Sequence, residues 1–290
     1  MNIQWYPGHM TKAKRMMQEN IKLIDVVIEL VDARVPISSQ NPDVLTLAQN
    51  KPRLMVFNKV DLADARETEK WAEHFKKLGY VVVKVNSANG QGIKQIGQAV
   101  KVACKEKIER NTRRGLINKP MRAMVVGIPN VGKSTFINKL VGKSSAKTGN
   151  KPGVTKGKQW LKLRNEIELL DTPGVLWPKF EDKSVGIKLA MIGSIKEDIL
   201  DTEALSGYVL EFMRDRYPYL LSKKYPIEDV ADKVGHQLLE DATKTRNLLR
   251  AGSVPDTLRM SKLLLEEFRN GKLGKMTLET VQEYSNLKEA

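Results

Sequence analysis

Residues 127–134, Gly127-Ile128-Pro129-Asn130-Val131-Gly132-Lys133-Ser134, follow the pattern G-x-x-x-x-G-K-S and run on into Thr135. Glycines at these spacings let the backbone curl so that successive N–H groups point inward at phosphate oxygens. Lys133 adds a point charge for the outer phosphates, and Ser134 offers a hydroxyl to Mg²⁺. Asn58-Lys59-Val60-Asp61 is a second cluster with chemical content. The Asp61 carboxylate can accept hydrogen bonds from the N1–H and exocyclic amine of guanine, whereas adenine presents no such donors on that edge. A polar site left unpaired in this way rejects the wrong base strongly. Asn58 is expected to bond the major-groove edge of the base, and the Lys59 stem to cover the ring. In Asn86-Ser87-Ala88 a backbone N–H suits the guanine O6. Asp171-Thr172-Pro173-Gly174 is the third piece: a carboxylate able to hold Mg²⁺ through water, and a glycine N–H able to meet a γ-phosphate. Thr155 is the candidate second hydroxyl on Mg²⁺, with Thr148 as its competitor.

These residues need a scaffold that brings strand ends together, and the apolar pattern supplies one. Ala123–Val126 precedes the glycine-rich turn, and Thr135–Leu140 follows it with a helical pattern, giving strand, loop and helix. Val26–Val31 is an apolar run broken only by Glu29, which suits a strand buried on both faces. Arg53–Phe57 and Val81–Val85 read as further strands, each ending in one of the clusters above. Helices are expected over 9–24, 42–49, 66–78 and 93–109, a basic linker over 110–120, and paired strands over 158–163 and 167–170. From about 184 onward the pattern is helical, with breaks near Tyr217-Pro218, Tyr225-Pro226 and Val254-Pro255. Strands alternating with helices predict an α/β fold with a parallel-dominated sheet, followed by a small all-α domain. The expected boundaries are 1–180 for the α/β domain, 181–205 for a connecting switch segment and 206–290 for the helical domain.

The chain has 290 residues and a net charge of +15. Residues 206–290 are nearly neutral, with 14 Lys/Arg against 13 Asp/Glu, so the excess lies in the first 205 residues. Lys139–Arg164 holds eight basic residues and no acidic one, and Lys105–Arg122 holds seven against Glu106 and Glu109. A solvated basic face would account for such runs. Their concentration beside a phosphate site favours a nucleic-acid partner, whose neutralised phosphates supply most non-specific affinity. One cysteine, Cys104, excludes a disulfide framework and a multi-cysteine zinc site. No apolar run approaches the length of a membrane span. Lys12, Lys14 and Arg15 faintly suggest a transit peptide, but Trp5-Tyr6-Pro7-Gly8-His9-Met10 reads as a turn without serine-rich character, and a cytoplasmic protein is expected.

Taken together, the clusters resemble the guanine-nucleotide motifs of a P-loop GTPase in rotated order, base-reading motifs before phosphate-binding ones, as in the circularly permuted GTPases. Trp5 to Met10, Asp32-Ala33-Arg34-x-Pro36 and Ile192-Gly193-Ser194-Ile195 are similar to the ribosome biogenesis GTPase A, or YlqF, family. The resemblance covers most of the chain, most specifically residues 2–195. It implies a circularly permuted P-loop GTPase domain that uses GTP, GDP and Mg²⁺. It also implies a role in late assembly of the large (50S) ribosomal subunit, with 23S-type rRNA and ribosomal proteins as partners of a monomer. The GTP set carried over is Asn58, Lys59, Val60, Asp61, Asn86, Ser87, Ala88, Asn130, Val131, Gly132, Lys133, Ser134, Thr135 and Gly174, with Ser134, Thr155 and Asp171 at the metal.

The hydrolytic group is open. Val175 occupies the position after Gly174 where many GTPases carry a water-orienting glutamine, so slow intrinsic turnover is expected. The resemblance offers His9 as a replacement that orients water, against a merely structural histidine after Pro-Gly. It likewise offers Asn130 as a K⁺ ligand, against a plain loop asparagine. Because the chain continues from the Asp171–Gly174 switch into residues 175–205, γ-phosphate contacts are expected to act on the helical domain. Two other readings compete. A P-loop kinase would need an acceptor pocket and gives no reason for a base-reading motif. A permuted GTPase of the small subunit or another structured RNA is the second.

Overall fold

The computed structural model describes residues 7–48, 50–116, 119–142, 159–163 and 166–289. The chain divides into two compact units: residues 5–179 together with 279–290, and residues 180–278. The first is built on a six-stranded sheet in the order β3-β2-β1-β4-β6-β5. Its strands are β1 (Val26–Asp32), β2 (Arg53–Asn58), β3 (Val81–Lys84), β4 (Met121–Gly127), β5 (Gln159–Leu163) and β6 (Ile167–Asp171). All neighbours pair parallel except β5, which lies antiparallel to β6.

Strand β1 is buried along its whole length, as its continuous apolar run requires. Glu29 within it is paired with Arg53 at 2.6 Å, and burial still pushes its carboxyl pKa upward against that neighbour's charge. From β1 the chain proceeds to β2 on one side, whereas β4 lies on the other. Between β1 and β4 the strand order therefore reverses, and in open parallel sheets the crevice at the carboxyl ends of such strands is where ligands bind. The helices of this unit are α1 (Gly8–Asn20), α2 (Pro42–Leu47), α3 (Ala65–Lys77), α4 (Ile96–Ala103), α5 (Lys105–Arg113) and α6 (Lys133–Val141). Asp64 caps α3 by accepting from the Arg66 N–H at 2.8 Å.

Two expectations are corrected here. The single helix over 93–109 is broken: a 3₁₀ turn at Ile93–Gln95 leads into α4, and Cys104 (φ −98°, ψ 12°) separates α4 from α5. The 110–120 linker is helical up to Arg113, because a run of basic side chains on an exposed helix face resembles a loop in composition.

The second unit holds α7 (Lys183–Met191), α8 (Thr202–Arg216), α9 (Pro218–Lys224), α10 (Gly235–Thr245) and α11 (Thr257–Arg269). Asp182, Asp201 and Asp256 cap α7, α8 and α11 through their side chains. The start of α10 crosses α8 so closely that a Cβ on Gly235 would stand 2.8 Å from Gly207 Cα. A buried Glu267 gathers Arg246 at 2.9 Å and Lys224 at 3.5 Å.

The expected boundary for the helical domain ran to residue 290, but Glu279 onward belongs to the first unit. There α12 (Val281–Glu289) packs on α3, with the Tyr284 ring 5.7 Å from that of Trp71. Trp71 donates its indole N–H to the Glu279 carbonyl at 3.0 Å. The Glu279 carboxylate accepts from Ile37 N at 2.8 Å and from the Ser38 N–H and hydroxyl. A buried aromatic face on α3 and two loop N–H groups thus find their partners in residues some two hundred positions away, which local periodicity cannot reveal.

Candidate functional site

Four carboxyl ends of adjacent parallel strands deliver the sequence-predicted residues to one edge of the sheet: β1 ends at Asp32, β2 at Asn58, β4 at Gly127 and β6 at Asp171. Between β4 and α6 the glycine-rich turn does what its sequence demands. Gly132 adopts φ +97°, in the left-handed region where a Cβ is strained, and a Cβ there would also lie 2.5 Å from Asn58 Nδ2. On Gly127 a Cβ would meet Leu30 O of β1 at 2.7 Å. Ser134 and Thr135 fall in the first turn of α6, whose N-terminus carries partial positive charge.

Asn58 departs from the simple base-edge reading. Its side chain is buried and already committed: Nδ2 donates to Val131 O at 2.8 Å, while Oδ1 accepts from Ser87 N at 3.1 Å and Ser87 Oγ at 2.8 Å. It therefore rivets three segments together, leaving one Nδ2 proton for anything else. The N–H of Ala88 is likewise engaged, donating to Asn86 Oδ1 at 2.9 Å, so neither Ser87 nor Ala88 presents an unshared N–H for a guanine O6. Lys59 (φ +59°) reaches across to donate to Asn130 O of the glycine-rich turn at 2.7 Å. Val60 donates its N–H to Val85 O at 3.4 Å, which ties the motif to the end of β3. Asp61 is exposed.

Sequence reasoning gave Asp32 and Arg34 no role beyond a family mark, yet Asp32, braced by Arg34, holds Lys59. Asp32 is fully buried, receives Arg34 Nε at 2.9 Å and Nη2 at 2.8 Å, and lies 3.1 Å from Lys59 Nζ. Burial works to raise its carboxyl pKa, but the Arg34 and Lys59 charges outweigh it and hold Asp32 well below the carboxylate range. An aspartate at the end of an apolar strand followed two residues later by arginine was the available signal.

The phosphate end has the opposite character. Both carboxylate oxygens of Asp171 are buried without a hydrogen-bond partner. Burial pushes its pKa up, opposed by the nearby Lys133 charge. Lys133 is 7% exposed, and burial pushes its pKa down to about 8, opposed by Asp171. Thr172 Oγ1 donates to Val125 O of β4 at 2.7 Å, fixing the segment beside the turn. Gly174 follows so closely that a Cβ would stand 2.8 Å from Pro129 Cα. Beyond it Val175 is buried, donates its N–H to Gly127 O at 3.3 Å and accepts from Asn41 Nδ2 at 2.9 Å; Leu176 N approaches Met10 Sδ at 3.5 Å. His9, the residue before Met10, is exposed in the first turn of α1. Thr155 and its competitor Thr148 lie outside the described residues, as do Trp5 and Tyr6. A buried carboxylate that has no hydrogen-bond partner among the described residues and faces the P-loop lysine fits the hydrated shell of a divalent cation.

A P-loop fold carrying a second, base-reading motif defines the GTPase class, and the motif order along the chain makes it a circularly permuted member. Comparison with known proteins agrees. Residues 122–215 match the family model described as 50S ribosome-binding GTPase. Ribosome biogenesis GTPase A of Bacillus cereus is 49% identical over 284 residues, covering 98% of this chain and 96% of that protein. A GDP-bound structure of YlqF aligns with a TM-score of 0.67 at 28% identity, over 92% of this chain and all of the other. The GNP-bound YlqF from T. maritima aligns with a TM-score of 0.64 at 29% identity, over 93% and 98%. The chain belongs to the ribosome biogenesis GTPase A family, and its activity is GTP hydrolysis.

Proposed function

We propose that this GTPase acts as a switch in late assembly of the large ribosomal subunit, binding the precursor particle in its GTP state and leaving after hydrolysis. The observation that carries the nucleotide reading is the meeting of Asn58–Asp61, Gly127–Ser134 and Asp171–Gly174 at one edge of the sheet. Asp61 reads the N1–H and exocyclic amine of guanine, Lys59 covers the base, and Asn58 with Ser87 keeps the two base loops and the turn in register. Lys133, its charge uncompensated by any hydrogen-bonded carboxylate, binds the β- and γ-phosphates, and the Gly174 N–H meets the γ-phosphate.

Ser134 and Thr155 are the residues to hold Mg²⁺ directly, and Asp171 the one to hold it through water. When bound, the ion neutralises developing phosphate charge and fixes the oxygens for in-line attack. Asn130 is the candidate K⁺ ligand, where the cation would replace the charge of an arginine finger. Buried Val175 cannot orient water, so turnover is slow in the isolated protein. His9 serves as the orienting group, placed one residue from the Met10 contact with Leu176.

The assembly role is supported by the ribosome-binding description of the family model and by the name of the Bacillus relative. The basic surplus of the first 205 residues favours rRNA, and the helical unit after residue 180 supplies a second surface for it. The protein acts in the cytoplasm as a monomer; no helix among the described residues is long and apolar enough to cross a membrane. The test is GTP turnover in K⁺ buffer, alone and with purified large or small subunits. Stimulation by the large subunit only is expected. Stimulation by the small subunit only would reassign the particle, and stimulation by neither would undo the ribosomal role while leaving the GTPase.

A further inference from the structure

We propose that Asn41 is the positioning residue for γ-phosphate recognition: by clipping Val175 from the far side, it holds Gly174 against the P-loop. This rests on the reading above that the Gly174 N–H meets the γ-phosphate. The Val175 residue is gripped at both its polar atoms. Its N–H is held by Gly127 O at 3.3 Å, from the start of the glycine-rich turn, and its carbonyl accepts Asn41 Nδ2 at 2.9 Å from a residue 134 positions earlier. Gly174, immediately before, runs so close to the glycine-rich turn that a Cβ there would lie 2.8 Å from Pro129 Cα and 2.9 Å from Pro129 N. Outward movement is what the Asn41 bond opposes.

The amide side chain is the one suited to this place. Its Oδ1 accepts the Asp43 N–H at 2.9 Å and caps α2, while its Nδ2 serves Val175. A carboxylate would keep the cap and repel the Val175 carbonyl. Asn41 is 2% exposed, so neither bond competes with water. The loop that carries it is stiff. Ser39 Oγ donates to Val35 O at 2.6 Å and accepts from Asp32 N at 3.1 Å; Glu279 holds the N–H groups of Ile37 and Ser38; and Pro42 fixes the first turn of α2. The same loop begins at Asp32, which anchors Lys59. One short segment therefore connects the base-reading lysine with the γ-phosphate switch. GDP makes no use of Gly174, so the clip contributes to GTP affinity alone.

Dissociation constants of GDP and of a non-hydrolysable GTP analogue, measured with Mg²⁺ on the full chain, test this. Asn41→Asp retains the cap and loses the donor; Asn41→Ser, too short to reach Val175 while able to cap, is the second variant should the first fail to fold. About a tenfold loss of analogue affinity is expected, with GDP affinity unchanged within about twofold. An equal loss for both nucleotides, or no loss, overturns the proposal, since a merely structural role weakens both together. Gly174→Ala separates the clip from the reading beneath it. If Gly174→Ala favours GDP over the analogue while both Asn41 variants do not, the clip alone is wrong. If Gly174→Ala leaves the ratio at the wild-type value, the γ-phosphate assignment of Gly174 fails and the clip with it.

Discussion

Around Asn58 the buried polar atoms are matched within the protein, with one amide joining Ser87 to Val131 and one carboxylate, Asp32, joining Arg34 to Lys59. Around Asp171 they are not: among the described residues its two buried oxygens have no hydrogen-bond partner, and burial pushes the pKa of the facing lysine down to about 8. The Asn58 end is thus internally satisfied. At the phosphate end the buried Asp171 carboxylate faces Lys133 with no hydrogen bond among the described residues, and a hydrated cation would give it partners. On the proposed function, selectivity among bases would come from the internally matched end and response to the phosphate state from the other.

The sharpest way to break this comparison is to neutralise the unsatisfied carboxylate. Asp171→Asn should lower Mg²⁺-dependent GTP turnover by about 100-fold or more, while raising the melting temperature of the ligand-free protein. A lower melting temperature would mean that Asp171 is satisfied after all. At the Asn58 end the sign reverses. Asn58→Ala removes three buried hydrogen bonds and should cost about 2–4 kcal/mol in denaturant unfolding of the ligand-free chain, and a cost under about 1 kcal/mol would show the rivet to be idle. The smallest effect concerns Lys133. Its folded pKa lies below the unfolded one, so between about 8 and 10.5 the unfolded chain binds more protons and stability rises with pH. Wild type should therefore gain stability relative to Lys133→Met across that window, by on the order of 1–3 kcal/mol. The gain should vanish with Mg²⁺-GDP bound, because phosphate then restores the charge. A flat difference between the two proteins would place Lys133 in a solvated setting.

What the sequence made legible is what is local. The glycine-rich turn carries its flanking strand and helix with it, and the Asn58–Asp61 and Asp171–Gly174 clusters sit at the ends of apolar runs. A parallel sheet gathers all three at one edge whatever the loops do, so the α/β fold and the site followed from the same pattern. The details that went unread depend on partners far along the chain. Asn41 could be read as the cap of α2, but nothing in its neighbourhood announces Val175. Asn58 suits a base contact by type, but its bonds to Ser87 and Val131 could not be read from its neighbours in sequence. Glu279 and α12 resemble the helices before them, and only the aromatic face of α3 explains why they return to the sheet domain. At 110–113 the failure was compositional, since a charged helix face and a charged loop share the same residues.

The return of Glu279 to Trp71 and to the Ile37–Ser38 loop also sets a timetable for the nascent chain. At about 5–20 residues per second, the roughly two hundred residues that separate these partners take on the order of 10–40 s to synthesise. During that interval the Trp71 indole N–H and the Ile37 and Ser38 N–H groups lack the Glu279 oxygens that accept from them in the folded chain. The sheet unit thus receives its last contacts, at Trp71 and at the Ile37–Ser38 loop, only after residues 180–278 have been made.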